Sequence, residues 1–293
     1  MRILVSGASG MIGSVVAPYL ASRGHEIVRL VRREPDPGEV RWDPDAGIID
    51  ADRLEGFDGV VHLATMPWPA RWTAEAKRRM RANRLAANGL LAGTVAGLKR
   101  KPRVLVCSSG MGFYPSSGDQ VITEDSAPGS DFLAMLQRDG EAATQKASAA
   151  GIRVVNLRTP MVVGGAAIRR GMGRMGNGYQ WTSWVGRDEL AAIIDHVLQS
   201  ESLAGPVNPC SPNPVRNAEF AATLGRVLGS KPGMSIPAFL LRLMLGEMAE
   251  ALMLASRRIE PRKLLASGYQ FRYPLPEDAL GHELEAAQQA QAA

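Results

Sequence analysis

The chain has little of what marks a secreted, metal-bound or membrane-spanning protein. Its 293 residues include two cysteines, Cys107 and Cys210, too few for a disulfide framework and without metal-ligand neighbours. Cys107 sits in an apolar run and reads as a small core residue. The four histidines, His25, His62, His196 and His282, are scattered. No paired carboxylates, Ser-His-Asp order or metal-ligand spacing accompanies them. His62, at the end of an apolar run, reads as structural rather than as a base. No segment reaches the roughly twenty uninterrupted apolar residues of a membrane helix. The nearest, 236–256, carries Arg242, Glu247 and Glu250 and reads as a buried or interface helix. Glycines at 7, 10 and 13 interrupt the apolar start, so a secretory signal is not expected. These absences make a reducing cytoplasm the expected setting, with no metal and no membrane.

Nucleic acid is not an expected partner either. The net charge is +5, but the cations are spread out. Their densest group, Lys77 to Arg84, lies on one predicted helix without interleaved aromatics, as a solvated face does. Apolar residues make up 45% and charged residues 22%, an ordinary globular balance, and the length suits one large or two modest domains.

What is present is a glycine turn. Met1 to Gly13 reads MRILVSGASGMIG, an apolar strand at 2–5, a turn, and a helix predicted over 11–21. Gly7 lets the chain leave the strand sharply, Gly10 lets backbone N–H groups approach a pyrophosphate, and Gly13 lets the helix pack closely. Phosphates at a helix N-terminus meet unpaired N–H groups and a favourable dipole. A second strand at 26–31 follows at the spacing of a dinucleotide-binding unit and ends in Val31-Arg32-Arg33. Guanidinium groups at that point suit the 2′-phosphate of NADP. Glu34, one residue on, keeps NAD as the alternative.

Further strands are expected at 59–64, 103–107 and 152–157, with helices from Thr73, an N-cap, to about Gly97 and over 131–149. The stretch 34–56 is turn-rich, without a helix signal. The alternation implies an α/β fold, a Rossmann doubly wound parallel sheet over residues 1–160. A smaller, mostly helical substrate-side domain is expected over 161–293, with 181–210 packing back on the first. A Gly, Met and Arg-rich loop spans 164–178, and the Ala/Gln tail at 286–293 is expected to fray.

Four segments carry a resemblance: Gly7-Ala-Ser-Gly-Met-Ile-Gly13, His62-Leu-Ala64, Asn83 with Leu90-Leu91, and Ser108-Ser109 followed by Tyr114. Together they resemble the extended short-chain dehydrogenase/reductase superfamily, which includes sugar-nucleotide epimerases and dehydratases. More narrowly, Arg41-Trp-Asp-Pro44, Arg71-Trp-Thr73, Thr123-Glu-Asp-Ser126, Trp181-Thr-Ser-Trp184, Pro206-Val-Asn208 and Leu245-Gly-Glu-Met248 resemble bacterial epimerase-like proteins with an uncharacterised C-terminal domain. The resemblance implies that Gly7, Ser9, Gly10, Met11 and Ile12 hold the pyrophosphate and that Arg32 meets the adenosine phosphate, with Arg33 beside it. It implies that Leu63, Ala64 and Thr65 line the ribose and nicotinamide side. Ser108 and Tyr114 would face the reacting carbon, and Arg158 would stand at the mouth of the cleft.

The superfamily's chemistry rests on a Tyr-x-x-x-Lys pair, and this chain departs from it. Gly118 follows Tyr114 by four, and the helix where the pair normally sits reads DFLAMLQRDGE over 131–141. A free tyrosine, with pKa about 10, is a poor base at neutral pH without such help. The expected function is therefore an NADP-dependent oxidoreductase or epimerase acting on a small hydroxyl or carbonyl compound, sugar-derived among the candidates. The alternative is a non-catalytic NADP(H)-binding sensor or regulatory protein. A homodimer is the base-rate expectation.

Overall fold

The run Ile3-Leu4-Val5 sends alternate side chains into two different cores, as a strand buried on both faces must. Ile3 and Val5 join Val16, Leu20, Val61, Val106 and Val155 on one face of a sheet. Leu4 joins Val60, Leu91, Val95 and Leu105 on the other. The computed structural model describes residues 1–69, 71–164, 173–230 and 233–292.

The sheet has eight strands. We label β1 (Arg2–Ser6), β2 (Glu26–Val31), β3 (Val40–Asp43), β4 (Ile48–Ile49), β5 (Gly59–His62) and β6 (Val104–Gly110), to which the strands Arg153–Thr159 and Gly205–Val207 are added. Across the sheet the order is Gly205–Val207, Arg153–Thr159, β6, β5, β1, β2, β3, β4, parallel throughout except for the β3–β4 hairpin. This is the Rossmann-like α/β arrangement, and its order reverses between β1 and β5. Ligands in such sheets bind beyond the carboxyl ends of the strands at that reversal. The register sets Ser6 beside His62 and His62 beside Cys107, so β1 and β5 end level while β6 runs on to Gly110.

Helix α1 (Gly13–Ser22) and the helix Arg187–Gln199 cover one face. Helices α2 (Ala74–Gly97), α3 (Phe132–Ala142) and α4 (Gln145–Ala149) cover the other. Thr73 caps α2, its hydroxyl accepting from the Ala76 amide at 3.2 Å. Beyond the sheet, Val163, Trp184, Phe220, Leu224 and Leu280 form a separate core for the helical C-terminal region.

Three local expectations are corrected. The stretch 34–56 holds β3, which extends the parallel sheet and places Trp42 on its core face. The helix expected over 131–149 is two, α3 and α4, broken where the Thr144 hydroxyl and amide both take the Glu141 carbonyl. The segment 236–256 is also divided, because Gly246 turns at φ +59° after the helix Ala238–Leu245. That helix is largely exposed, with Leu241 its one buried residue. Residues 286–292 belong to the helix Pro276–Ala292, in keeping with the high helix propensity of Ala and Gln. Of the loop at 164–178, residues 165–172 lie outside the described part.

Candidate cofactor and substrate site

Gly7 and Gly13 are small for steric reasons that can be located. Gly7 has φ +73°, and a Cβ there would lie 2.7 Å from the Ala64 nitrogen and 2.8 Å from the Leu63 carbonyl carbon. The turn after β1 is thus pressed against the segment leaving β5. A Cβ on Gly13 would lie 2.1 Å from the Gly7 oxygen, so Gly13 packs on the turn itself rather than on the sheet. At Gly10 the nearest atom would be 3.3 Å away, and its amide closes the turn onto the Gly7 carbonyl at 3.0 Å. Helix α1 starts without a side-chain cap and without an acidic residue in its first turn. The amides of Met11, Ile12 and Gly13 donate to no backbone carbonyl outside the helix among the described residues. Ser9, Gly10 and Met11 are exposed. A cradle that a Cβ would fill, bordered by open amides at a helix start, fits a pyrophosphate.

The two arginines after β2 have separate fates. Arg33 is tied down: its guanidinium pairs with Asp36 and Glu39, both at 2.8 Å, and donates to the Glu34 carbonyl at 2.7 Å. It shapes its own loop and is not free for a phosphate. Arg32 makes no ion pair among the described residues and lines a groove with Trp42, Pro44, Thr65 and Asn83. The sequence paired these arginines; the structure separates them.

His62 is structural. Its Nε2–H donates to Asn88 Oδ1 at 3.1 Å, while the Asn88 amide nitrogen donates to the Gly140 carbonyl at 2.8 Å. Nδ1 is left to accept from the Ser6 hydroxyl at 2.6 Å. Burial, reinforced by the Arg84 charge, pulls its pKa down to about 4. A neutral ring therefore links β1, β5, α2 and α3 behind the cleft, with Trp42 edge-on at 5.5 Å.

The residues expected at the reacting carbon are not brought together. The Ser108 side chain is half-exposed at the carboxyl end of β6, and its carbonyl accepts from Arg84 Nη1 at 2.9 Å. Tyr114 is fully buried. Its hydroxyl donates to Asn208 Oδ1 at 2.8 Å and accepts from Arg158 Nη1 at 2.9 Å. Burial pushes its pKa up to about 12. A sealed phenol held in its protonated form does not act as a base at the cleft. Arg158 is not at the cleft mouth: it is 5% exposed, paired bidentately with Glu141 at 2.9 Å, and stacked 3.4 Å over the Phe113 ring. It lies in the interior because Glu141 and Phe113 offer a buried guanidinium both an ion pair and a flat partner.

On α3, Gln137 and Glu141 are four residues apart and face β6. The Ser109 hydroxyl donates to Glu141 Oε1 at 2.7 Å and lies 3.5 Å from Gln137 Oε1. An amide and a carboxylate thus stand on the helix that the resemblance assigns to Tyr-x-x-x-Lys. Their i, i+4 spacing was visible in the sequence, but without β6 beside them nothing singled them out.

The groove holding Arg32 continues past Thr65 and Asn83 to Trp68. Trp68 also forms a wall of a cavity of about 340 Å³ enclosed by the end of the sheet, α3 and the C-terminal region. Gln137, Thr159, Thr182, Ser183 and Arg257 are its polar lining. Among the described residues there is no cluster of His, Cys, Asp and Glu fit to hold a metal, and no helix is long and apolar enough to cross a membrane.

Comparison with known proteins gives two family matches. The model of the NAD dependent epimerase/dehydratase family matches residues 3–208, and a domain of unknown function, DUF1731, matches residues 236–283. An epimerase family protein of Mycobacterium leprae is 34% identical, over 96% of this chain and 94% of its own. Epimerase family protein SDR39U1 of Homo sapiens is 32% identical, over 94% and 96% respectively. The crystal structure of human SDR39U1 (isoform 2) with NADPH superposes with a TM-score of 0.84 at 29% identity, covering 97% of this chain and 99% of that one. The nucleoside-diphosphate sugar epimerase of Corynebacterium glutamicum superposes with a TM-score of 0.81 at 32% identity, covering 100% of this chain and 61% of that one.

Proposed function

The chain belongs to the NAD dependent epimerase/dehydratase family, carrying a C-terminal DUF1731 domain, and we propose that it is an NADPH-dependent oxidoreductase acting on a small carbonyl compound. The observation that carries this reading is the continuity of the groove with the cavity through Trp68. A dinucleotide laid from Arg32 across the turn after β1 leads toward a pocket of substrate size. NADPH is favoured over NADH because Arg32 is the strand-end cation without an ion pair, and because the human relative was solved with NADPH.

In this reading Gly7 and Gly13 keep the cradle open, the amides that start α1 take the pyrophosphate, and Arg32 takes the 2′-phosphate. Ser9, Gly10, Met11 and Ile12 border the cradle, and Leu63, Ala64 and Thr65 line the ribose and nicotinamide side. Held there, the nicotinamide would supply a hydride to a carbonyl carbon. Gln137, on the cavity's polar lining, orients the substrate from α3. The cavity holds no described side chain that exchanges a proton near neutral pH, so the proton completing the alcohol comes from water. With Tyr114 sealed away, neither reduction nor epimerisation has a resident tyrosine to move the proton, and water serves in its place.

The test follows NADPH absorbance across a panel of small aldehydes and ketones, alongside direct titration of NADPH. Consumption with any of them supports the oxidoreductase. Tight NADPH binding with no consumption anywhere on the panel favours a second reading, a non-catalytic NADP(H)-binding regulator. Gln137 and Glu141, standing where a proton-transfer pair is expected, are the observation on its side.

A further inference from the structure

Arg257 is the one charged side chain lining the cavity among the described residues, and it is 2% exposed. Its Nε donates to the Tyr114 carbonyl at 2.9 Å and its Nη1 to the Ala251 carbonyl at 2.7 Å. Nη2 donates to nothing among the described residues, and no carboxylate there pairs with the guanidinium directly; the Asp131 carboxylate acts on it only from beyond ion-pair distance. Burial lowers its pKa to about 10, which still leaves it charged at neutral pH. A buried cation whose counter-charge stands off at that distance is costly, and proteins normally pair it directly. Arg158, by contrast, is paired with Glu141, and Arg84 lines the groove rather than the cavity.

The rest of the lining narrows what could supply the missing charge. Trp68, Met111, Leu133, Met161, Leu252 and Met253 make the cavity chiefly apolar. A uridine diphosphate group, with two charged phosphates and a polar base, finds one cation and little polar surface among the described residues. A phosphate monoester carries between one and two negative charges at neutral pH and would be under-compensated. A carboxylate carries one, and a single free guanidinium nitrogen matches it.

We propose that the cavity binds a mostly apolar monocarboxylate, with Arg257 as the anchor of its carboxylate group. This rests on the oxidoreductase reading only in taking the cavity as the substrate site. Binding is therefore measured without asking for turnover.

The experiment saturates the full-length protein with NADPH and titrates 4-phenylbutanoate, 4-phenylbutanamide, phenyl phosphate and a uridine diphosphate sugar by calorimetry. The carboxylate is expected to bind about tenfold or more tightly than its amide, and more tightly than either phosphate compound. In Arg257→Gln the carboxylate-to-amide ratio should fall to about one while NADPH affinity holds. The wild-type ratio does not depend on the variant folding. Equal binding of acid and amide, tighter binding of a phosphate compound, a preference that survives Arg257→Gln, or no binding by any probe overturns the proposal. Failure of NADPH itself to bind counts against the cofactor reading instead, and the same four titrations are then run on the protein alone, with the same outcomes deciding.

Discussion

The turn after β1, which presses on the segment leaving β5 that lines the groove, and the cavity beyond Trp68 are built by opposite means. At the turn the working groups are backbone amides, and side chains matter chiefly by their absence at Gly7 and Gly13. In the cavity the working groups are side chains, brought from positions as distant as 68, 137, 181 and 257. A third region lies behind both, where Tyr114, Arg158, Glu141 and Asn208 form a buried polar network. The comparison teaches that polarity alone does not mark the reacting centre. The most elaborate hydrogen bonding in this half of the molecule serves the interior.

The largest effect is expected from that interior network. Arg158→Met leaves Glu141 without its bidentate partner and should cost about 3–5 kcal/mol of stability in chemical denaturation. The double variant Arg158→Met with Glu141→Met should recover most of the loss, because two apolar groups replace the pair. NADPH affinity of the folded fraction should stay within about threefold of wild type, since neither group reaches the cleft. A much larger fall in NADPH affinity at unchanged stability would return Arg158 to the cofactor site and erase the division drawn between interior and cleft.

The turn comes next. Gly13→Val forces a side chain against the Gly7 carbonyl and should weaken NADPH binding about 100-fold or more, read by titration of protein whose helix content is checked by circular dichroism. Gly10→Ala has room by comparison and should cost only a few-fold. If the two substitutions cost the same, the steric account of the cradle fails.

These two regions were not equally legible. The turn could be read because its signal is local: a strand, three glycines and a helix lie within about twenty residues. The alternation of strands and helices was readable for the same reason. Short β3 was hidden because four residues in a turn-rich stretch offer too little periodicity to separate strand from loop. The cavity was hidden by topology, since nothing in the neighbourhood of Arg257 in the sequence says that Trp68 and Gln137 will meet it. Tyr114 and Arg158 misled because their identities suit a catalytic cleft, whereas burial, which decides their role, is a property of the packed chain.

Acidification probes the wall between the turn and the interior. The folded-state pKa of His62 lies near 4, below its ordinary value of 6.5, so the unfolded chain takes up the proton more readily. The contribution of the neutral ring is complete above about pH 6.5 and is lost as the pH falls toward 4. Between pH 7.5 and pH 5 the loss should be about 2 kcal/mol. Denaturation of wild type and His62→Gln at both values checks it: the variant starts less stable but should lack this part of the decline. A parallel decline in both proteins would mean that other groups carry the acid sensitivity.

The smallest effect separates two neighbours that the sequence could not. Arg32→Ala should weaken NADPH binding about tenfold and leave NADH binding nearly unchanged, because a single charge-assisted contact to the 2′-phosphate is removed. Arg33→Ala should shift the preference little, since Asp36 and Glu39 already occupy that guanidinium. The pair is measured as a ratio of NADPH to NADH affinities, so a general loosening of the loop cancels. A ratio of about one in wild type would remove the phosphate assignment altogether. A fall in the ratio for Arg33→Ala as large as that for Arg32→Ala would show that the loop clamp releases Arg33 when the cofactor binds, and the backbone-built end of the cleft would then depend on a side-chain rearrangement after all.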